Sequence, residues 1–157
     1  MKITFKMNYS IFDDVLQYIP NHLNTIQDSK YKDNELCDSI LDFHHKHNTD
    51  KYVVSLSGGV DSMVMISILH AKNIEVIAVH INYNNRTESK KEEDFLITWC
   101  EYNKIKLFVK SINNIHRNSS NRTEYENITK NIRLEFYQEI MRNEGANYVL
   151  LAHHKDD

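Results

Sequence analysis

Apolar positions recur with two rhythms along this chain, and the change between them falls near residue 50. Before it the spacing is helical and sparse. Ile11, Val15, Leu16 and Ile19 form a stripe at i, i+4, i+5 and i+8. Ser10 and Asp13 open it as a capping pair, and Pro20 ends it. The polar run from Asn21 to Asp33 reads as a loop. Leu36, Ile40 and Leu41 then make a second short stripe that runs into His44, His45, Lys46 and His47. No Cys, Asp or Glu stands at ligand spacing from these histidines, so the cluster reads as a solvated helix end facing the dipole rather than a metal site. Residues 1–50 are therefore expected to form a helical leader.

From Lys51 onward, β-branched runs alternate with helical stripes. Tyr52–Leu56 reads as a strand, Ser62–Lys72 as a helix, and Glu75–Asn82 as a nearly continuous apolar strand of the kind buried in parallel sheets. Ser89 with Glu92 makes a capping box, and Phe95, Trp99 and Tyr102 at i, i+4 and i+7 predict the buried face of the helix behind it. Lys106–Lys110 is a third strand, and Ile112 to Arg122 is a long polar loop. Thr123–Asn143 is the longest helix, with Tyr125, Ile128, Ile132, Phe136 and Ile140 down one side. Gly145 stops it, and Tyr148–Ala152 is a fourth strand. This alternation predicts an α/β fold, a Rossmann-like doubly wound parallel sheet with crossover helices, whose ligands sit at the carboxyl ends of the strands.

Composition changes this picture little. A length of 157 residues holds one domain with a real core, and 41% hydrophobic with 26% charged residues is ordinary for a globular chain. No apolar run approaches the ~20 residues that span a bilayer. Met1 to Ser10 has no apolar signal-peptide core. Cys37 and Cys100 lie far apart and form no Cys-x-x-Cys pair, which argues against a disulfide framework or zinc site and for a reducing, cytoplasmic setting. The Asn-x-Ser/Thr triplets at Asn8, Asn85, Asn118, Asn121 and Asn127 are chance matches in an asparagine-rich chain. Net charge is −3, yet residues 86–133 carry ten Lys/Arg against seven Asp/Glu. That basic excess beside the first loop admits a solvated surface or an RNA-facing patch equally.

The candidate chemistry centres on Ser57-Gly58-Gly59-Val60-Asp61-Ser62. Two of the chain's three glycines stand side by side between a strand and a helix. Glycines tolerate positive φ and allow a ligand close to the backbone, while the first N–H groups of the helix point outward at its positive end. Such a turn binds phosphate. The flanking serines offer donors, and Asp61 offers a carboxylate for a divalent cation. It is not a Walker loop, because no Gly-Lys-Ser/Thr follows. Two more polar groups fall on the same edge: His80-Ile81-Asn82-Tyr83-Asn84-Asn85-Arg86 after the second strand, and His153-His154-Lys155-Asp156-Asp157 after the fourth.

Residues 57–62 resemble the pyrophosphate loop of the ATP-pyrophosphatase, or PP-loop, superfamily, whose pattern is Ser-Gly-Gly-x-Asp-Ser. Taken with the other motifs, residues 50–157 resemble one branch of it, the tRNA(Ile)-lysidine synthetases. That branch has His-x-Asn-His-x-x-Arg after its second strand, Ser and acidic residues opening the next helix (here Glu88-Ser89 and Glu92-Glu93), an Arg–aromatic pattern (here Arg133-Leu134-Glu135-Phe136-Tyr137) and His-His-x-Asp-Asp. The resemblance implies an adenine nucleotide alpha hydrolase-like fold that uses ATP and Mg²⁺, with tRNA and free lysine as partners and no membrane. It implies ATP binding by Ser57, Gly58, Gly59, Val60, Asp61, Ser62, His80, His153 and Asp157. Asp61 and Asp157 are then the metal contacts, and Asp61, Arg86 and Arg133 the catalytic residues. The implied reaction is attack of a wobble cytidine O2 on the α-phosphorus of ATP, loss of pyrophosphate, and displacement of AMP by the lysine amine.

The match has two departures. Tyr83 stands where the branch has its second histidine. The branch also continues beyond His-His-x-Asp-Asp, so residues 51–157 are expected to be a PP-loop ATP-binding domain truncated at its C-terminal end. Other readings remain open: another adenylating enzyme of the superfamily, such as a tRNA thiolase or an amide-forming ligase, and a nucleotide-binding module without turnover.

Overall fold

A computed structural model describes residues 35–112 and 122–152. The stripe from Ile11 to Ile19, the polar segment 113–121 and the motif His153 to Asp157 lie outside the described residues. In chain order the elements are α1 Glu35–His47, β1 Lys51–Ser55, α2 Val60–Ala71, β2 Glu75–Asn82, α3 Ser89–Tyr102, β3 Lys106–Ser111, α4 Arg122–Glu144 and β4 Val149–Leu151. All described strand pairings are parallel, in the order β3-β2-β1-β4. Val53 sits opposite Ile77 and Val149, and Asn82 opposite Ser111. The chain steps outward from β1 to β3 and then returns to the far side of β1. The direction therefore switches between β1 and β4, which is where open sheets of this kind bind ligands.

Alternation along the strands sorts the core into two layers. Tyr52, Val54 and Leu56 of the first strand segment, with Val76 and Ala78, pack with α1, α2 and α3 on one face. Val53, Ile77 and Val79 pack with Phe136, Tyr137 and Ile140 of α4 on the other. This is the doubly wound α/β fold that the alternation of patterns implies. Helix α2 is buried continuously from Ser62 to Leu69, as an all-round apolar helix must be. Helix α1 belongs to the same layer, since Cys37 and Ile40 are buried in it. The expectation of a solvated histidine end holds for His45, which is exposed, but His44 Nδ1 is 3.3 Å from Tyr52 Oη and His47 Nδ1 is 3.1 Å from Tyr148 Oη, and both are half-buried. Among the described residues no three metal-ligating side chains cluster, and no helix is long and apolar enough to cross a membrane.

Three local expectations need correction. Ser89 and Glu92 do not form a capping box: the residue before the helix, Glu88, is already helical, no side chain caps α3, and Glu92 pairs with Arg86 instead. The buried face of α3 is Ser89, Glu93, Leu96, Trp99 and Cys100, while Phe95 and Tyr102 are exposed. A charged residue interrupts that face, and it is buried because hydrogen bonds satisfy it. On α4 the predicted stripe holds at Phe136 and Ile140 but fails at Ile128, which is exposed.

Helix ends use left-handed residues. Asn48, Asn73 and Lys104 follow α1, α2 and α3 with φ of 42°, 57° and 56°, and Gly145 follows α4 at 68°. Asparagine thus fills positions more often given to glycine. A Cβ on Gly145 would meet nothing within 4 Å, so Gly145→Ala should cost backbone strain alone, about 1–2 kcal/mol. Urea unfolding of the variant measures this directly.

Candidate functional site

The sheet carries its chemistry at the carboxyl end of β1. Leu56 prolongs the ladder, its N–H donating to Val79 O at 2.8 Å, and its side chain is fully buried. The next three residues, Ser57 to Gly59, are exposed. Gly58 turns the chain with φ of +86°, and Gly59, extended at φ −73° and ψ 154°, leads into α2. No side chain caps α2. Its first-turn N–H groups therefore lie at the positive end of a helix buried from Ser62 to Leu69, an arrangement suited to phosphate.

The two serines hold this loop in shape. Ser62 Oγ donates to Gly59 O at 2.9 Å and accepts from the Ser57 N–H at 3.2 Å. That leaves Ser57 Oγ to donate to Ser62 Oγ at 3.2 Å, while it accepts from the Gly59 N–H at 3.2 Å. Ser62 is buried, so its hydroxyl serves the loop rather than the surface. Val60 and Asp61 are half-buried at the start of α2. His80 is buried beneath the loop, and since a carbonyl only accepts, its Nδ1–H donates to Leu56 O at 2.8 Å. This bond fixes the imidazole tautomer and anchors the chain one residue before Ser57.

A second polar centre joins the ends of β2 and β3 to the start of α3. Asn82 and Glu93 are both buried, and Asn82 Nδ2 donates to Glu93 Oε2 at 2.9 Å and to Ser89 O at 3.3 Å. Lys90 Nζ donates to Glu93 Oε1 at 2.8 Å. The Lys90 and Asn82 hydrogen bonds hold the Glu93 carboxyl below the ordinary carboxylate range. Sequence reasoning named Glu93 only among the acidic residues that open this helix and gave it no place in the site. Its place at i, i+3 and i+7 with Leu96 and Cys100 was the available signal.

On the opposite face, Tyr137 Oη lies 2.6 Å from Ser55 Oγ at the last residue of β1. Burial raises the Tyr137 pKa, so the phenol stays protonated at neutral pH. Arg133 stands one helical turn away on α4 and is half-buried, and its charge and the Tyr83 phenol both act on Tyr137. Since α4 returns from the end of β3 to the start of β4, it runs against the strands, which puts Arg133 beyond Ser55 at the carboxyl edge.

The fold thus places the 57–62 loop and His80 on one face of that edge and Arg133 on the other. Arg86 is exposed on the loop between β2 and α3, where both carboxylate oxygens of Glu92 accept from its Nη2 at 2.8 and 3.1 Å. His153 and Asp157 lie outside the described residues. Much of the basic excess is matched locally, Lys90 by Glu93 and Asp94, Lys106 by Glu144, and Arg122 by Glu126. Both cysteines are buried, and burial pushes the Cys100 thiol up to about 12, away from thiolate chemistry.

Residues 32–157 match the family described as the PP-loop domain. A tRNA(Ile)-lysidine synthase of Mesoplasma florum is 36% identical over 112 residues, covering 71% of this chain and 28% of its own length. One from Oceanobacillus iheyensis is 35% identical over 130 residues, covering 76% and 28%. The chain therefore spans about a quarter of the length of these relatives. Among solved structures, the NMN synthetase of Francisella tularensis superposes with a TM-score of 0.58 over 74% of this chain and 50% of its own, at 16% identity. That likeness concerns the fold.

Proposed function

The chain belongs to the PP-loop domain family, and on that premise we propose that it binds ATP at the Ser57–Ser62 loop as part of a tRNA(Ile)-lysidine synthetase. The observation that carries this reading is the glycine turn at an uncapped helix N-terminus, at the strand-order switch between β1 and β4. The identity to lysidine synthases of two organisms supports the branch. ATP, tRNA and free lysine are the substrates in this reading, and the setting is cytoplasmic.

The residues divide the work as follows. Backbone N–H groups of the loop and the start of α2 grip the β and γ phosphates as a unit, which favours their departure as pyrophosphate. His80 holds the loop's entry. Arg133, facing the loop across the sheet edge, steadies the charge that builds at the α-phosphorus when a cytidine O2 attacks. Arg86 receives the polynucleotide, exchanging its Glu92 partner for phosphate. The described residues fit Mg²⁺ in one respect: Asp61 gives a carboxylate at the loop, and such an ion takes most of its remaining ligands from phosphate oxygens and water. Asp61 would hold the ion together with Asp157, and the ion would supply neutralisation of phosphate charge.

The test is product identity. With α- and γ-labelled ATP, tRNA and lysine, the protein is expected to release AMP and pyrophosphate, and only with all three substrates present. ADP as the main product would overturn the reading, because that outcome belongs to γ-phosphoryl transfer. AMP release that ignores lysine but needs another amine or a sulfur donor would remove the lysidine branch alone.

A further inference from the structure

A carboxylate buried beside the ligand edge, with no part in the chemistry above, calls for a role. Glu93 is ionised at neutral pH, so it accepts hydrogen bonds and donates none. It accepts from Asn82 Nδ2 at 2.9 Å, from Lys90 Nζ at 2.8 Å and, more weakly, from Ser111 Oγ at 3.4 Å. An asparagine amide has two nearly isosteric ends, and a neutral partner could accept either. Facing this carboxylate and, more distantly, the Ser89 carbonyl oxygen that accepts from Nδ2 at 3.3 Å, only the NH₂ end is tolerated. Asn82 Oδ1 is thereby turned the other way, where it accepts from the Asn84 N–H at 2.9 Å. That bond closes a turn in which Asn84 adopts φ of 48°, two residues before Arg86. Asn82 O also accepts from the Ile112 N–H at 2.8 Å, so the same residue couples the loop to the end of β3.

We propose that Glu93 is the main positioning residue of the 83–88 loop: its carboxylate, which makes the shorter of the two Asn82 Nδ2 bonds, holds the orientation of the Asn82 amide and so the presentation of Arg86 to a polynucleotide. The role of Arg86 rests on the function proposed above; the Asn82–Asn84 turn does not. Loop 57–62 is held by its own serines and His80, so disturbing Glu93 should leave nucleotide binding in place.

Three variants test this on the full chain: Glu93→Gln, Asn82→Asp, and the two combined. Asn82→Asp sets two carboxylates against each other, whereas the combination exchanges donor and acceptor across the same contact. Amide exchange at Asn84 is followed by NMR, AMP affinity by calorimetry, and affinity for a stem-loop RNA with cytidine at the wobble position by fluorescence. In each single variant Asn84 should exchange about tenfold faster or more, and RNA affinity should fall by a similar factor, as loss of a charge-assisted hydrogen bond predicts. AMP affinity should stay within about threefold, and the combined variant should recover slow exchange. Unchanged Asn84 exchange in the single variants would overturn the proposal. So would loss of AMP affinity in step with RNA affinity, which would mark Glu93 as a support of the whole fold. RNA that fails to bind even the unaltered chain would overturn the polynucleotide reading, while Asn84 exchange still decides what Glu93 does.

Discussion

Gly58→Val is expected to weaken ATP and AMP binding by about 100-fold or more while leaving the fold intact. Two separate effects add. At φ of +86° a residue with a Cβ is strained, by about 1–2 kcal/mol. A Cβ there would also lie 3.6 Å from Leu96 Cδ1, in ordinary van der Waals contact, and the two γ-methyls of valine add further bulk beside α3. The loop is exposed and escapes both by swinging out, which misaims the N–H groups proposed to hold phosphate. Gly59→Ala is the informative comparison. Its φ of −73° suits any residue, and its Cβ would meet only Ser57 Oγ, at 3.3 Å. It should bind nucleotide more weakly than the parent chain but better than Gly58→Val. Calorimetric titration of variants shown to be folded by circular dichroism checks the order. Parental affinity in folded Gly58→Val would remove phosphate from this loop.

What the sequence disclosed follows from where periodicity is a faithful record of burial. Strand β2 was readable to its exact ends, Glu75 and Asn82, because a strand covered on both faces has no polar alternation to blur it. The glycine turn was readable because two adjacent glycines between a strand and a helix leave few other conformations. Helix α3 misled because its inner face contains Glu93. Hydropathy assigns a carboxylate to solvent, and only the Asn82 and Lys90 partners, distant or on another turn, make burial affordable. The Ser55–Tyr137 bond was invisible for a related reason, since it joins residues 82 apart in sequence. Such contacts carry no local pattern, and they are what set the height of α4 against the loop.

That height leads to the second large effect. Tyr137 is pinned to the end of β1 at 2.6 Å, and Arg133 lies four residues toward the start of α4, about 6 Å further along the axis. In the function proposed above, this packed helix carries Arg133 toward the edge where the α-phosphate of a nucleotide gripped by its outer phosphates would be held. A cation placed this way gains most when charge develops during attack, and less in the ground state. Arg133→Ala should therefore lower the rate of AMP formation about 100- to 1,000-fold, the range found when a preorganised charge-stabilising donor is removed. ATP affinity should fall far less, within about fivefold, since the loop supplies most of the ground-state grip. Arg133→Lys should recover part of the rate, because the charge returns without the planar fork. Single-turnover measurements with labelled ATP separate the rate from the affinity. A rate within about threefold of the parent, at saturating ATP and RNA, would take Arg133 out of the chemistry and leave it a helix residue that happens to overlook the site.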